Sequence, residues 1–246
     1  MQRHLNAIAT AVLCLVVCRS AIAAHPLVTD DPATLGLGNH QFEFNTDQLR
    51  DSDFRARVSA FTYAYGLQPN LDIFVNVPIS ISTPRGIGDL SLGAKWRFWE
   101  QQSSSIGLKP ELLLPSGDVE RELGTGRAGM AVTLLASHVF APWTLLANVG
   151  FTMNRYKDSV SDDASRRTVW RLSAAASYAV NDTTAIVFDL GAGRNPERAV
   201  RANPAFALVG LIYTPYPEID IDVGLKFGLN RAEVHRQLGA GLTLRF

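Results

Sequence analysis

The sequence predicts an all-β chain, closed as a transmembrane antiparallel up-and-down β-barrel of about twelve strands behind a cleavable signal peptide. Three observations predict it. Apolar and polar residues alternate with a period of two along most of the chain. Short turns alternate with long, charged loops. Aromatic residues gather where the turns would meet a membrane interface.

The chain opens on a leader. Arg3 and His4 precede an apolar run from Leu5 to Cys18, and Ala21-Ile22-Ala23 places small residues at a cleavage site. Cleavage is expected after Ala23, with Ala24 as the second choice. Val17, bulky and just before Cys18, argues against a lipid-attachment site. Both cysteines, Cys14 and Cys18, leave with residues 1–23, so the mature chain is expected to hold no disulfide and no thiolate metal site. Residues 24–39 read as a periplasmic N-terminal segment and 40–246 as the barrel.

Strands follow near 40–49, 55–66, 70–82, 86–99, 105–115, 128–140, 143–154, 167–180, 183–193, 203–214, 218–229 and 234–246. The alternation is plainest in the third and eleventh. Leu71, Ile73, Val75, Val77, Ile79 and Ile81 share one face, while Asp72, Asn76, Ser80 and Ser82 share the other. Likewise Ile219, Ile221, Val223, Leu225, Phe227 and Leu229 oppose Asp220, Asp222, Lys226 and Asn230. No stretch reaches the length of a transmembrane helix, whereas strands of about 9–11 residues suffice to cross a tilted barrel wall. The turns at 66–69, 141–142, 181–182 and 215–217 are short. Those at 114–127, 154–167 and 194–203 are long and rich in charge, glycine or proline. Both termini then fall on the short-turn, periplasmic side. A soluble sandwich would alternate too, but here charges recur in mid-strand while the opposite face stays apolar, as lipid requires. Tyr65, Trp96, Phe98, Trp143, Tyr178 and Tyr213 mark the periplasmic interface and Trp170 the other. Phe246 ends the last strand on the lipid face with Leu244 and Leu242, the pattern of an assembly signal read by the barrel-assembly machinery.

The inward face gathers Glu43, Asp72, Asp89, Glu111, Asp189, Asp220 and Asp222 with Lys95, Arg97, Lys109, Lys226 and Arg245. These could select solutes or pair across neighbouring strands and hold a narrow bore together. Mixed signs favour pairing. Twelve strands fall between barrels filled by side chains and those with an open channel.

Ordered segments resemble one outer-membrane family, the transporters named for the MetA pathway of phenol degradation. They are Asp30-Asp31-Pro32 with Thr34-Leu35-Gly36, Tyr65-Gly66-Leu67 with Asn70-Leu71-Asp72, and Gly86-Ile87-Gly88-Asp89 running into Gly93-Ala94-Lys95-Trp96-Arg97. Lys109-Pro110-Glu111, Leu114-Pro115, Gly117-Asp118 and the end through Gly241-Leu242-Thr243 and Arg245-Phe246 complete the set. The resemblance implies an outer-membrane barrel passing small, including aromatic, solutes, and brings no catalytic residues with it.

Other chemistry is weakly supported. Gly124-Thr-Gly126-Arg-Ala-Gly129 fits a dinucleotide fingerprint, but no helix follows to hold phosphates. Asp220-Ile-Asp222-Val-Gly224 lacks the spacing and closing glutamate of a calcium loop. Ser137 and His138 are adjacent, so on a strand they point to opposite faces. With 23 basic and 23 acidic residues, charge gives no case for nucleic acid. The reading is a solute-passing barrel in outer-membrane lipid, with no metal, no cofactor and no enzymatic activity. An adhesion or structural barrel, and then an outer-membrane hydrolase, are the alternatives.

Overall fold

A computed structural model of the chain describes residues 25–52 and 54–246. The expected leader, residues 1–23, lies outside the described residues. The strands are β1 (His40–Arg50), β2 (Arg55–Gln68), β3 (Leu71–Ser80), β4 (Gly86–Ile87), β5 (Ser91–Gln101), β6 (Ser104–Leu113), β7 (Gly129–Phe140), β8 (Trp143–Met153), β9 (Thr168–Asn181), β10 (Thr184–Gly193), β11 (Ala205–Tyr216), β12 (Ile219–Gly228) and β13 (Arg236–Arg245). Each long strand pairs antiparallel with its neighbours in sequence, and β1 pairs with both β2 and β13. The sheet therefore closes, leaving no edge whose backbone groups would face lipid unpaired. Twelve long strands form the wall, and the two-residue β4 folds back on the end of β3.

The strand expected at 86–99 is broken. Gly86 has φ +153, a conformation open to glycine, and Gly88 to Leu90 leave the ladder before β5 begins. A second departure is α1 (Ser159–Ala164), a short helix in the loop between β8 and β9. Asp158 caps it, its side chain accepting from the Ser161 N–H at 2.8 Å. Six largely polar residues carry too little apolar period to announce a helix.

The distribution of side chains is inside-out relative to a soluble protein. Phe61, Phe151, Leu172, Phe188, Ile221 and Val223 are exposed, whereas Asp72, Asp189, Asp220, Asp222 and Thr243 are at most 3 % exposed. Polar groups buried beneath an apolar exterior place lipid outside and the polar bore within. Aromatic rings band the short-turn rim. Trp143 meets Tyr178 at 4.8 Å between centroids, and Trp96 meets Phe98 at 5.5 Å. Phe246 stacks on His40 at 5.2 Å, beside Tyr65 and Phe42. Leu242 and Leu244 point outward beside it.

A cation placed on the lipid face at mid-strand should be costly. Val223→Arg is expected to reduce stability by about 2–4 kcal/mol in denaturant titrations of liposome-inserted protein. An unchanged midpoint would mean that this face does not meet hydrocarbon.

Candidate functional site in the barrel interior

The segment between the leader and β1 does not stay at the periplasmic rim. Residues 25–35 run around the inner wall of the barrel. The physical reason is that the wall buries more charge than it can pair by itself, and the segment carries the matching groups. Beginning at β1 and going backward, the chain turns at Gly36 and Gly38, both at positive φ, beneath Gly66 of β2. A Cβ on Gly66 would collide with the Gly36 carbonyl, so the turn needs glycine there. The Leu35 N–H then donates to both oxygens of Asp72 on β3, at 3.1 and 3.0 Å.

Next come the acids. Asp30 receives Lys109 Nζ of β6 at 2.9 Å and lies 3.7 Å from Lys95 Nζ of β5. Asp31 lies 3.9 Å from the same Lys95. Between them the Asn148 amide of β8 faces the Asp30 peptide. Oriented to satisfy both partners, its nitrogen donates to the Asp30 carbonyl at 2.9 Å and its oxygen accepts from the Asp30 N–H at 2.7 Å. The segment reaches β10 at Asp189, which accepts from the Val28 N–H, the Thr29 N–H and the Thr29 hydroxyl at 2.7–2.8 Å. Leu27 packs into an apolar strip formed by Leu146, Val187, Phe206, Leu208 and Ile212. Pro26 rests on Gly210 of β11 and Gly224 of β12, where any Cβ would strike its ring. Finally the His25 ring lies between two carboxylates, hydrogen-bonded to Asp222 and 3.6 Å from Asp47 of β1. The segment has then passed nearly the whole circumference.

Its charges are tuned by this setting. Burial alone would lower the His25 imidazole, but the hydrogen bonds and negative charges of Asp222 and Asp47 outweigh burial and raise it from 6.5 to about 9. Burial would raise Asp30, yet Lys109 and Lys95 together hold it well below the usual carboxylate range. Burial dominates at Asp31 and pushes it up to about 6.

The expected inward residues divide accordingly. Asp72, Lys95, Lys109, Asp189 and Asp222 hold the segment. Asp220 pairs with Arg245 across β12 and β13 at 2.5 Å and accepts from Thr214 at 2.7 Å. Glu43 is buried and accepts from Asn45 at 2.7 Å. Lys226 meets Glu233 at 3.1 Å, with its ammonium 5.3 Å above the Phe206 ring. Glu111 accepts from Ser91 at 3.3 Å. Two residues depart from the expected role. Asp89 sits in the break before β5, where it organises the 114–128 loop by accepting from the Gly117 and Thr125 N–H groups at 2.9 and 2.7 Å. Arg97 lies beside a bulge at the short-turn end of β5 and pairs with Glu100 at 3.3 Å. The pairing expected across neighbouring strands is not what Lys95 and Lys109 make. These two lysines converge on Asp30, a residue of the segment and not of the wall.

His25, Thr29, Asp30, Asp31 and Asn148 were not among the candidates from sequence. The adjacent acids Asp30 and Asp31, close to a leader and followed by Pro32, are the available sign. Ser137 and His138 do point apart, Ser137 to Ser105 and His138 to Ser104, each at 2.8 Å. A shallow, open depression crosses β8 to β10, lined chiefly by the outward-facing Ala147, Val149, Leu172, Ala174 and Leu190.

A closed sheet, apolar outside and charged within, with its own N-terminal segment bound along the bore, defines an outer-membrane β-barrel. The chain belongs to the family described as "Putative MetA-pathway of phenol degradation", whose profile matches residues 24–246. Among solved structures it is similar to the COG4313 outer membrane channel from Pseudomonas putida F1. That similarity has 16% identity and a TM-score of 0.67, covering 88% of this chain and 98% of the other. It is also similar to the NanC porin at 12% identity and a TM-score of 0.63, covering 82% and 98%. The KdgM porin follows at 10% identity and a TM-score of 0.61, covering 84% and 99%. At these identities the likeness establishes the fold. No curated protein matches the chain in sequence.

Because His25 is raised, its contribution to holding the segment is complete below about pH 6.5 and is lost as pH rises through about 9. That contribution is on the order of 3 kcal/mol at about 1.4 kcal/mol per unit. Asp31 has the same sense but titrates lower, its contribution falling away by about pH 6, so His25 governs the alkaline range. Amide exchange at Val28 and Thr29, corrected for intrinsic rate, should therefore lose protection between pH 7 and pH 10. His25→Gln should lower protection at pH 7 and flatten the profile above it. Protection independent of pH over that range would contradict this account.

Proposed function

We propose that the barrel passes small organic solutes, aromatic compounds among them, down their gradient across the outer membrane. The observation that carries this reading is the closed barrel itself, whose bore sets compensated charge beside an apolar strip of Leu146, Val187, Phe206, Leu208 and Ile212. That strip runs along the inner face from β8 to β11. Family membership supports a solute in the class of phenol-derived compounds. The interior offers ion pairs and hydrogen bonds already committed to the segment, and the reading assigns it no catalytic step.

The bore is occupied by residues 25–35, so passage is narrow and depends on how tightly that segment is held. In this reading Lys95, Lys109, Asp72, Asp189 and Asp222 act on solutes mainly by fixing the segment. The protein is exported with a signal peptide cut after Ala23 or Ala24, and Phe246 with Leu244 and Leu242 supplies the signal that the assembly machinery reads.

Planar-bilayer recording of the purified mature protein should show small conductance steps, and a variant lacking residues 25–35 should show several-fold larger ones. Absence of conductance from both, with no uptake of phenol by reconstituted liposomes, would end the transport reading. Removing Phe246 should lower outer-membrane yield severalfold while leaving the conductance of the inserted fraction unchanged. An unaltered yield would remove its role in assembly.

A further inference from the structure

Three arginines stand side by side on the outer face of the wall. Arg236 of β13 is the register partner of Arg50 of β1, and Arg50 is that of Arg55 of β2. Strand alternation turns all three outward. Gln237, Asp47 and Thr62 make their hydrogen bonds inside the bore, whereas Leu238, Phe44 and Phe61, which share the arginines' parity, are exposed. Arg57 is the next outward residue of β2, opposite Gln48. All four arginines are exposed. Like charges directly opposed on neighbouring strands destabilise a sheet, their Cβ atoms being about 4.5–5.5 Å apart. Among the described residues, none of the four enters an ion pair. Asp51, next to Arg50, is committed to the loop, its carboxylate accepting from the Ser52 N–H at 2.6 Å and the His235 N–H at 3.4 Å.

The row stands at the long-loop end of the barrel and spans the seam where the first and last strands meet. Elsewhere at that end the outward positions are apolar. Leu112, Met130 and Met153 form the comparable row across β6, β7 and β8, and all three are exposed. The positive charge is thus a local feature of β13, β1 and β2. Lower on the same strands the wall is apolar again, where Ile221, Leu242, Phe44, Phe61 and Val77 make one unbroken register row.

An occupant that fits both tiers has a multiply anionic head and an apolar body. Guanidinium groups match phosphate in particular, since their planar forks donate two parallel hydrogen bonds to one anion. At the headgroup level a cation on the lipid face costs little, and the long Arg57 side chain can reach up the wall to the same level. We propose that Arg236, Arg50, Arg55 and Arg57 form the docking site of a phosphorylated glycolipid of the outer leaflet. Its phosphates rest on the guanidinium groups and its acyl chains on the apolar rows beneath. A free phosphate would engage the arginines and leave the apolar tier unused. The inference takes the long loops to face outward, as they do in outer-membrane barrels, and is independent of what passes through the bore. The bound lipid relieves the repulsion along the row and fastens the seam at which the sheet closes.

The test uses the purified barrel in mild detergent with a chelator present, and bisphosphorylated lipid A as the probe. Native mass spectrometry should show lipid A retained on the folded barrel. Removing both phosphates from the probe should weaken binding by about tenfold or more, and so should Arg50→Gln, Arg55→Gln and Arg236→Gln combined. Arg50→Gln alone, at the centre of the row, should cost about fivefold and keeps the site testable if the triple variant does not fold. Arg127→Gln, Arg155→Gln and Lys157→Gln together remove as much charge from the loops at the same end and should leave binding as in the unaltered protein. Lipid A should also stay bound in excess inorganic pyrophosphate, whose success as a competitor would assign the row to a free anion and overturn the lipid. Equal binding of the phosphorylated and dephosphorylated probes overturns the proposal. So does unaltered binding by the row variants, or an equal loss in the loop variant. No outcome depends on conductance, so failure here and failure of the transport reading remain distinct.

Discussion

The constraint on which this structure depends is that charge buried in the bore must be compensated there. A closed sheet satisfies its own backbone in lipid, and its outward face needs only apolar side chains. The inward face is less easily settled. Lys95 and Lys109 come from adjacent strands, both with limited exposure, and they would repel each other without an anion between them. Asp30 supplies that anion from outside the sheet. Asp189 and Asp222 present the converse problem, each a buried carboxylate that, among the described residues, forms no ion pair with a lysine or arginine of the wall. Backbone N–H groups and the Thr29 hydroxyl answer the first, and His25 the second. The wall and the segment are thus two halves of one polar network, and neither is electrostatically complete alone.

Steric fit follows from that pairing. Gly210, Gly224 and Gly241 lie where Pro26 and His25 touch the wall, and each would obstruct the segment if it carried a Cβ. Glycine weakens a strand, since it buries no side chain and orders a flexible backbone. Its placement beneath the segment is consistent with close approach outweighing that cost. The apolar strip from Leu146 to Ile212 has a similar logic. An apolar patch inside a polar bore gains nothing from water, and Leu27 covers it.

The wall was legible in the sequence because it is periodic. Alternation in Leu71–Ser80 or Ile219–Gly228 is local, so each strand announces itself, and the twelve long strands match the expected ones to within a few residues. The break at Gly88 was hidden because polar and apolar residues keep alternating through it, although the backbone leaves the ladder. The segment was illegible for a different reason. Its contacts join residues far apart in sequence, such as Asp30 to Lys109 or His25 to Asp222, and 25–35 has no period to betray a neighbour. Sequence alone therefore identified the lysines and carboxylates of the bore but offered them the wrong partners. Pairing was expected across neighbouring strands, whereas Lys95 and Lys109 meet Asp30, a side chain of the segment inside the wall.

This changes what the interior charges say about solutes. A ring of unpaired lysines would mark a track for anions, as rings of like charge do in selective pores. Here the lysine charge is largely met by Asp30 and Asp31, so the bore presents compensated charge beside an apolar strip. Such a surface favours a small neutral or weakly polar molecule over a strongly ionic one, because an ion would have to break an existing pair to find a partner. Phe206 illustrates the balance, since one ring lies beneath the Lys226 ammonium and joins the strip that receives Leu27. A solute resting on that face competes with Leu27 for apolar contact and leaves the ion pairs intact. Selectivity in this barrel is then set by the same contacts that hold its N-terminal segment in place.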